Sequence, residues 1–305
     1  MNKIKKIIAV ILTAATLPLS GCASNNNSSE SGNKIKIAYL PITHALALCE
    51  TAEENKNVEL VKYGSWPELL DALNSGKVDG ASVLTELAMK SKEQGVGIHA
   101  VALGHKDGNV IVVSNKIKVA SDLKGKTVAI PHRQSSHNIL INDALEKSGM
   151  TINDVKITEL SPTEMPSALA SGQIDGYCVA EPFGAKAVSM GIGKVLYTSQ
   201  QLWDDSICCC LVLNDNYLNN HNSDAKKFVA AYRLAGKNLT GEKLNNTAKK
   251  YLSQDDNVLK TSLQWISFDD LDITETAYNQ LTDKMKKYKL SDNPPSYSDF
   301  VYDIR

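Results

Sequence analysis

Residues Ala72 to Ala81 read ALNSGKVDGA and residues Ala168 to Tyr177 read ALASGQIDGY, so the chain writes nearly the same phrase twice. Each copy opens on the end of a helical pattern, carried by Leu69, Leu70 and Leu73 in the first and by Met165, Ala168 and Leu169 in the second. Each then meets a Ser-Gly helix stop (Ser75-Gly76, Ser171-Gly172) and enters a strand through Val78-Asp79-Gly80 or Ile174-Asp175-Gly176. Upstream of each copy a strand runs into a proline and then a helix: KIKIAYLPITHALAL turns at Pro41, and GKTVAIPHRQSSHNILINDAL turns at Pro131. Each half therefore reads strand, helix, strand, helix, strand. Short apolar strands (Ile35 to Leu40, Val58 to Val61, Lys126 to Ile130, Val155 to Ile157) alternate with helices, as in parallel sheets covered on both faces.

The period is about ninety-odd residues, far beyond the range of roughly 20 to 50 that marks solenoids, so this is a duplicated domain. The expected class is α/β with two similar lobes, and two facing lobes make a cleft. A chain of 305 residues, 43% hydrophobic and 22% charged, suffices for two such cores. Its formal charge of −1 gives no footprint for nucleic acid.

The N-terminus stands apart. Lys3, Lys5 and Lys6 precede an apolar run from Ile7 to Leu19, too short for a comfortable membrane span, which ends in Leu19-Ser20-Gly21-Cys22. Residues 1–21 read as an export signal, and the cysteine after them resembles a bacterial lipobox, which implies cleavage before Cys22 and a diacylglycerol on its sulfur. Residues 22–33, rich in Asn and Ser, have nothing to bury and read as a flexible tether. The folded part is expected outside the cell, anchored to the membrane by lipid on Cys22.

The segments IAYLPITHALAL, GSWPELLDALNSGKVDGA, VAIPHRQSSHNILI, LASGQIDGYCVAEPFGAKAV and GIGKVL occur in an order that resembles the substrate-binding lipoproteins of ABC importers in the nitrate, sulfonate, taurine and thiamine-precursor family. The resemblance implies a type II periplasmic-binding-protein-like clamshell whose chain crosses between lobes twice. The crossings are expected near Ser114 to Leu123 and near Gln200 to Ile207. That divides the chain into a first lobe over 34–118, a second over 119–204, and a return to the first over 205–305. From Asp224 on, apolar residues at helical spacing predict helices that wrap back on the first lobe, and Pro294-Pro295 predicts an extended tail.

Strand ends in such a cleft offer backbone amides and neighbouring side-chain donors to a polar ligand. Thr43 and His44 follow the first strand, and Ser135, Ser136 and His137 follow its counterpart. The two serines equally suit helix capping; the resemblance points to His137 as a ligand contact and leaves His132 as a partner of the turn. It also puts Trp66 where relatives hold an aromatic wall, with burial under the loop as the plain alternative. Asn109 opens a strand along the cleft. Glu181 matches a family glutamate that serves the turn or the ligand. Glu86 departs from the family's apolar residue there; facing the cleft it favours a cationic or amine-bearing ligand, and on a helix surface it has no such meaning.

Cys208-Cys209-Cys210 is read as buried structural cysteine, because strand alternation sends Cys209 to the opposite face from its neighbours and three adjacent thiols wrap a tetrahedral metal poorly. With Cys49 and Cys178 the thiols left after lipidation are odd in number, against a full disulfide framework. Nitrate-type relatives carry an anion-holding lysine near here, and none stands among Asp204 to Leu213.

The function expected is capture of a small polar organic nutrient (sulfonate or taurine, aminopyrimidine, nitrate-like) and its delivery to an ABC permease and its ATPase. The protein is read as a monomer, not an enzyme, with no catalytic residue, cofactor, metal or nucleic-acid partner. The alternatives are an enzyme of the same fold, a thiamine-pyrimidine precursor synthase or a desulfinase, and a ligand-sensing lipoprotein.

Overall fold

Both copies of the repeat fold as helix, left-handed glycine turn and strand. The helices Trp66–Asn74 and Met165–Ser171 each carry a proline in the first turn, where its missing N–H costs nothing. Both are followed by a glycine at positive φ, Gly76 at +70° and Gly172 at +75°. The computed structural model describes residues 34–304; the leader, the polar tract and Cys22 lie outside the described residues.

The strands are β1 (Ile35–Tyr39), β2 (Val58–Lys62), β3 (Gly80–Leu84), β4 (Ile98–Leu103), β5 (Lys106–Asp107), β6 (Asn109–Ser114), β7 (Thr127–Ile130), β8 (Lys156–Glu159), β9 (Gly176–Ala180), β10 (Gly193–Thr198), β11 (Cys209–Asn214) and β12 (Ile266–Ser267). One sheet has the order β2-β1-β3-β11-β4 and the other β8-β7-β9-β6-β10, while β5 and β12 form a small ribbon. In each five-stranded sheet three strands run parallel and the fourth is antiparallel. The fourth strands are exchanged along the chain: β11, late in sequence, completes the early sheet, and β6, early in sequence, completes the late one.

The repeated Asp-Gly has the same task in both lobes. Asp79 N–H donates to the Lys36 carbonyl (2.8 Å) and its Oδ2 accepts from Lys36 N–H (2.8 Å). Asp175 does the same to Thr127, at 2.8 and 3.0 Å. The following Gly80 and Gly176 pair with Ile37 and Val128, one residue beyond each clamped position. They lie against the antiparallel neighbour, where an alanine Cβ would come within 2.3 Å of the Val212 carbonyl oxygen and 2.9 Å of that of Val112. The repeat is thus the splice that docks the third strand of each sheet between the first and the fourth.

The expected α/β class with two sheet-based lobes is observed. The first crossing falls elsewhere than the sequence reading put it. β6, counted there with the first lobe, is hydrogen-bonded into the second sheet, so the chain leaves the first sheet after Leu103 and enters the second at Asn109. It returns between Thr198 and Cys209.

Helices Asn222–Asn238 and Gly241–Leu252 pack on helix Leu46–Glu54 of the first lobe, with Tyr232 Oη donating to the Leu103 carbonyl (2.9 Å) and Lys243 pairing with Glu50 (3.1 Å). Helix Glu275–Lys287 instead reaches the second lobe, where Lys284 Nζ donates to both oxygens of Asp143 (2.8 and 2.7 Å). The tail is not simply extended: Ser296 caps a short turn, Tyr297–Phe300, that buries Phe300, and Val301 then bridges Ala100 beside β4. No helix among the described residues is long and apolar enough to cross a membrane.

Candidate functional site

β1 gives way at Pro41, which cannot donate to a ladder, and the chain passes through a short turn, Thr43–Ala45, before helix Leu46–Glu54. This turn faces the second lobe. The backbone N–H and the hydroxyl of Thr43 both donate to the carbonyl of Glu181, at the end of β9. Asn109 pairs with Ala180 at the start of β6, and Ser136 and His137 form the first turn of helix Ser136–Glu146.

His44 lies at the centre. Its Nδ1 is 3.4 Å from Cys209 Sγ and 3.7 Å from Cys208 Sγ, and its Nε2 is 3.3 Å from the Gly108 carbonyl. A carbonyl only accepts, so Nε2 carries the proton and Nδ1 turns a lone pair toward the two thiols. The His105 ring stacks on that of His44, with centroids 3.4 Å apart. Cys208 Sγ is 3.8 Å from Cys209 Sγ and 3.8 Å from Asn109 Oδ1. Simple alternation does not hold here. Cys208 precedes β11, outside the pleat, and both sulfurs turn to His44. The five cysteines among the described residues are free.

Every one of these side chains, with Glu86, is exposed by 1% or less. Most of the buried side-chain polar atoms without a partner among the described residues collect here: both ring nitrogens of His105 and of His137, both carboxyl oxygens of Glu86, Asn109 Nδ2 and Ser136 Oγ. Ser136 lies close enough to Glu86 to stabilise its charge, but no hydrogen bond of good geometry forms. A buried polar group left unpaired costs about 1–3 kcal/mol, so a cluster of them from two lobes marks a place prepared for something to bind.

Burial, with His105 beside it, lowers His44 to about 4, and burial lowers His137 as well, so both rings are neutral near pH 7. Burial raises the Glu86 carboxyl well above its usual range, with Cys208 adding to the effect. Burial alone would raise Cys208, but the Cys209 thiol and His44 outweigh it and bring this thiol well below its usual range; burial and Cys208 drive Cys209 upward. The two neighbouring thiols are thus pushed in opposite directions.

The structure brings Thr43, His44, Asn109, Ser136 and His137 together and adds Glu86, His105, Cys208 and Cys209. Glu86 points inward. Ser135 stands at the N-cap position but donates its hydroxyl to the His132 carbonyl (2.6 Å), and His132 Nδ1 accepts from Gln134 N–H (3.0 Å). Glu181 Oε2 accepts from Ala185 N–H (2.9 Å), a tie within the turn, while Oε1 is unpaired. Trp66 lines a separate opening of about 310 Å³ between the lobes, with Pro67, Pro131, His132 and Glu159. A neighbouring opening of about 410 Å³ lies between Pro41, Tyr63 and Gly64 on one side and Pro162, Thr163 and Phe183 on the other. His105 was missed because a lone histidine between two strands carries no spacing signal; only its place in a crossover could have marked it.

Residues 29–253 match the model of the NMT1-like family. The chain belongs to that family. A solved structure from Staphylococcus aureus, described as the ligand-binding component of an ABC-type import system with zinc bound, is 39% identical, covers 89% of this NMT1-like chain and 97% of its own, and superposes with a TM-score of 0.85. The putative aliphatic sulfonates-binding protein of Escherichia coli is 26% identical over 205 residues, which is 64% of this chain and 62% of that protein. The nitrate import ATP-binding protein NrtC of Synechocystis sp. is 26% identical over 237 residues, 68% of this chain but only 35% of that protein. The NMT1-like chain thus spans less than two thirds of these two curated relatives.

Proposed function

We propose that the protein is the extracytoplasmic solute-binding component of an ABC-type importer, which captures a small polar solute between its lobes and delivers it to a permease driven by an ATPase. The observation that carries this reading is the cluster of unpaired, fully buried polar atoms contributed by both lobes. Thr43, Asn109, Ser136 and His137 are the contacts, His44 stands behind them with both ring nitrogens engaged, Glu86 supplies an acid, and Trp66 and Glu181 serve the rim and the turn. A monomer suffices, because the cleft is completed within one chain. Lipid on Cys22 holds the protein at the membrane, where a permease is within reach. The kinship with binding components of importers favours this over an enzyme or a sensor.

Among the described residues no buried polar side chain is Lys or Arg, so a bare inorganic anion would find no fixed positive charge there. The site suits neutral or cationic solutes and organic molecules rich in hydrogen-bonding groups. The zinc recorded with the Staphylococcus aureus protein puts metal ions in the same screen. The test is a thermal-shift screen of the mature protein against nitrate, bicarbonate, taurine, alkanesulfonates, aminopyrimidines, riboflavin and divalent metal salts. A true ligand at about a hundred times its Kd adds about 2.7 kcal/mol, and small-angle scattering should show a smaller radius with it. Absence of any stabilising compound, or an unchanged radius with one bound, would count against the reading.

A further inference from the structure

Two imidazoles and two thiols meet in a space the size of one ion. We propose that His44, His105, Cys208 and Cys209 form a four-ligand site for a divalent cation of the zinc class, set where the chain crosses between its lobes. The coupling of this site to lobe closure rests on the solute-capture reading above; the metal site itself does not.

The donor atoms of these four residues lie within 4.8 Å of one another. A tetrahedral zinc with about 2.3 Å to sulfur and about 2.0–2.1 Å to nitrogen separates its ligands by about 3.8 Å for a sulfur pair and about 3.6 Å for nitrogen and sulfur. The observed separations are 3.8 Å between the sulfurs, and 3.4 and 3.7 Å from His44 Nδ1 to each. Three of that tetrahedron's six edges are already in place, and His105, whose donor lies within 4.8 Å of the other three, completes it by swinging out of its stack on His44.

The groups behind the donor atoms have the same character. Ligating histidines commonly hand their other N–H to a backbone carbonyl, which fixes the tautomer, and His44 gives Nε2–H to Gly108 while keeping Nδ1 open. His105, 1% exposed, has neither ring nitrogen hydrogen-bonded, so one is free to ligate. Two thiolates balance the charge of a divalent ion, and their protons leave as it binds. An oxygen-seeking ion such as calcium or magnesium finds no carbonyl or carboxylate cage among these donors, whereas sulfur and imidazole select zinc and its neighbours.

Placement gives the site its meaning. His105 belongs to the crossover from β4 to β6, and Cys208 to the return from β10 to β11. Gly104 lets these segments close up, since a Cβ there would lie 3.1 Å from the His44 carbonyl oxygen and 3.2 Å from Cys209 Cβ. Asn109 and His137 of the second lobe lie over the cluster. An ion at this point ties both crossovers together and is covered by the second lobe, so it enters and leaves only with the lobes apart.

The test uses the mature protein, stripped with chelator under reducing conditions and titrated with Co²⁺ and, in competition with a chromophoric chelator, with Zn²⁺. One ion per chain is expected, with thiolate-to-cobalt charge transfer and the intense visible bands of a tetrahedral site. Cys208→Ser and His105→Gln should each weaken binding by at least the hundredfold that changes around a ligand can reach. Cys49→Ala, on helix Leu46–Glu54, should leave the spectrum as it is. Should one serine variant fail to fold by circular dichroism, the glutamine variant decides. Binding no tighter in the wild type than in Cys208→Ser, or a cobalt spectrum without thiolate, overturns the site. An organic solute that binds and closes the lobes in metal-free protein would leave solute capture standing and remove only the metal's link to closure.

Discussion

Thr43 holds the Glu181 carbonyl twice, once through its backbone N–H and once through its hydroxyl, each over 2.9 Å, and these bonds join the turn after β1 in one lobe to the end of β9 in the other. Thr43→Val keeps the shape and the N–H but removes the second donor. The closed arrangement should lose about 0.5–1.5 kcal/mol, and scattering should show a larger mean radius at unchanged secondary structure. An unchanged radius would mean that closure does not depend on this contact.

Burial raises the Glu181 carboxyl from 4.5 to about 8. Between those values the folded chain holds a proton that the unfolded chain has released, so this residue's contribution to stability is full below pH about 4.5 and falls as pH rises toward 8. Glu181→Gln keeps an acceptor for Ala185 N–H and removes the proton. Urea unfolding across that window should show the wild type losing stability relative to the variant as pH rises. Parallel curves would place the carboxyl in contact with water.

Gly80→Ala should be more damaging than Gly176→Ala, because the added Cβ lands 2.3 Å from a carbonyl oxygen in one case and 2.9 Å in the other. Overpacking of this kind costs about 1–3 kcal/mol and sometimes more. Denaturant midpoints of the two variants give the order directly, and a neutral Gly80→Ala would contradict the splice.

Lys284→Met should loosen the second lobe from the C-terminal helix, since it leaves Asp143, 8% exposed, without its cation. Tyr288 Oη still donates to that carboxylate (2.6 Å), which limits the loss to about 1.5–3 kcal/mol. Faster hydrogen exchange confined to helices Ser136–Glu146 and Glu275–Lys287 is the expected signature.

Cys22→Ala should release the protein from membranes into the soluble fraction, because the two acyl chains of one diacyl anchor are what make attachment stable. Retention after that change would sink the lipoprotein reading.

The duplicated helix-turn-strand was legible because Gly76 and Gly172, Asp79 and Asp175, and Gly80 and Gly176 answer local demands of backbone and close packing. Where β6 belongs was not. Asn109-Val110-Ile111-Val112-Val113 is an apolar strand that suits the middle of either sheet, and only pairing with β9 and β10 decides. Helix Glu275–Lys287 has the right period, but which lobe it meets depends on Asp143 and Glu146, far away in sequence. The gathering of His44, His105, Cys208 and Cys209 depends on two crossovers brought side by side, and no spacing along the chain announces that.

The exchanged fourth strands set an order of assembly. A chain emerging from its N-terminus has every strand of the later sheet in hand once Thr198 is out, whereas the earlier sheet waits for Cys209–Asn214. Until then the inner edge of β3 is an open ladder, a template for pairing with other chains, and β4 has no strand to join it to its own sheet. The lobe that begins first is completed last, so β11, with its cysteines, is the segment whose delay would leave the growing polypeptide most exposed to aggregation.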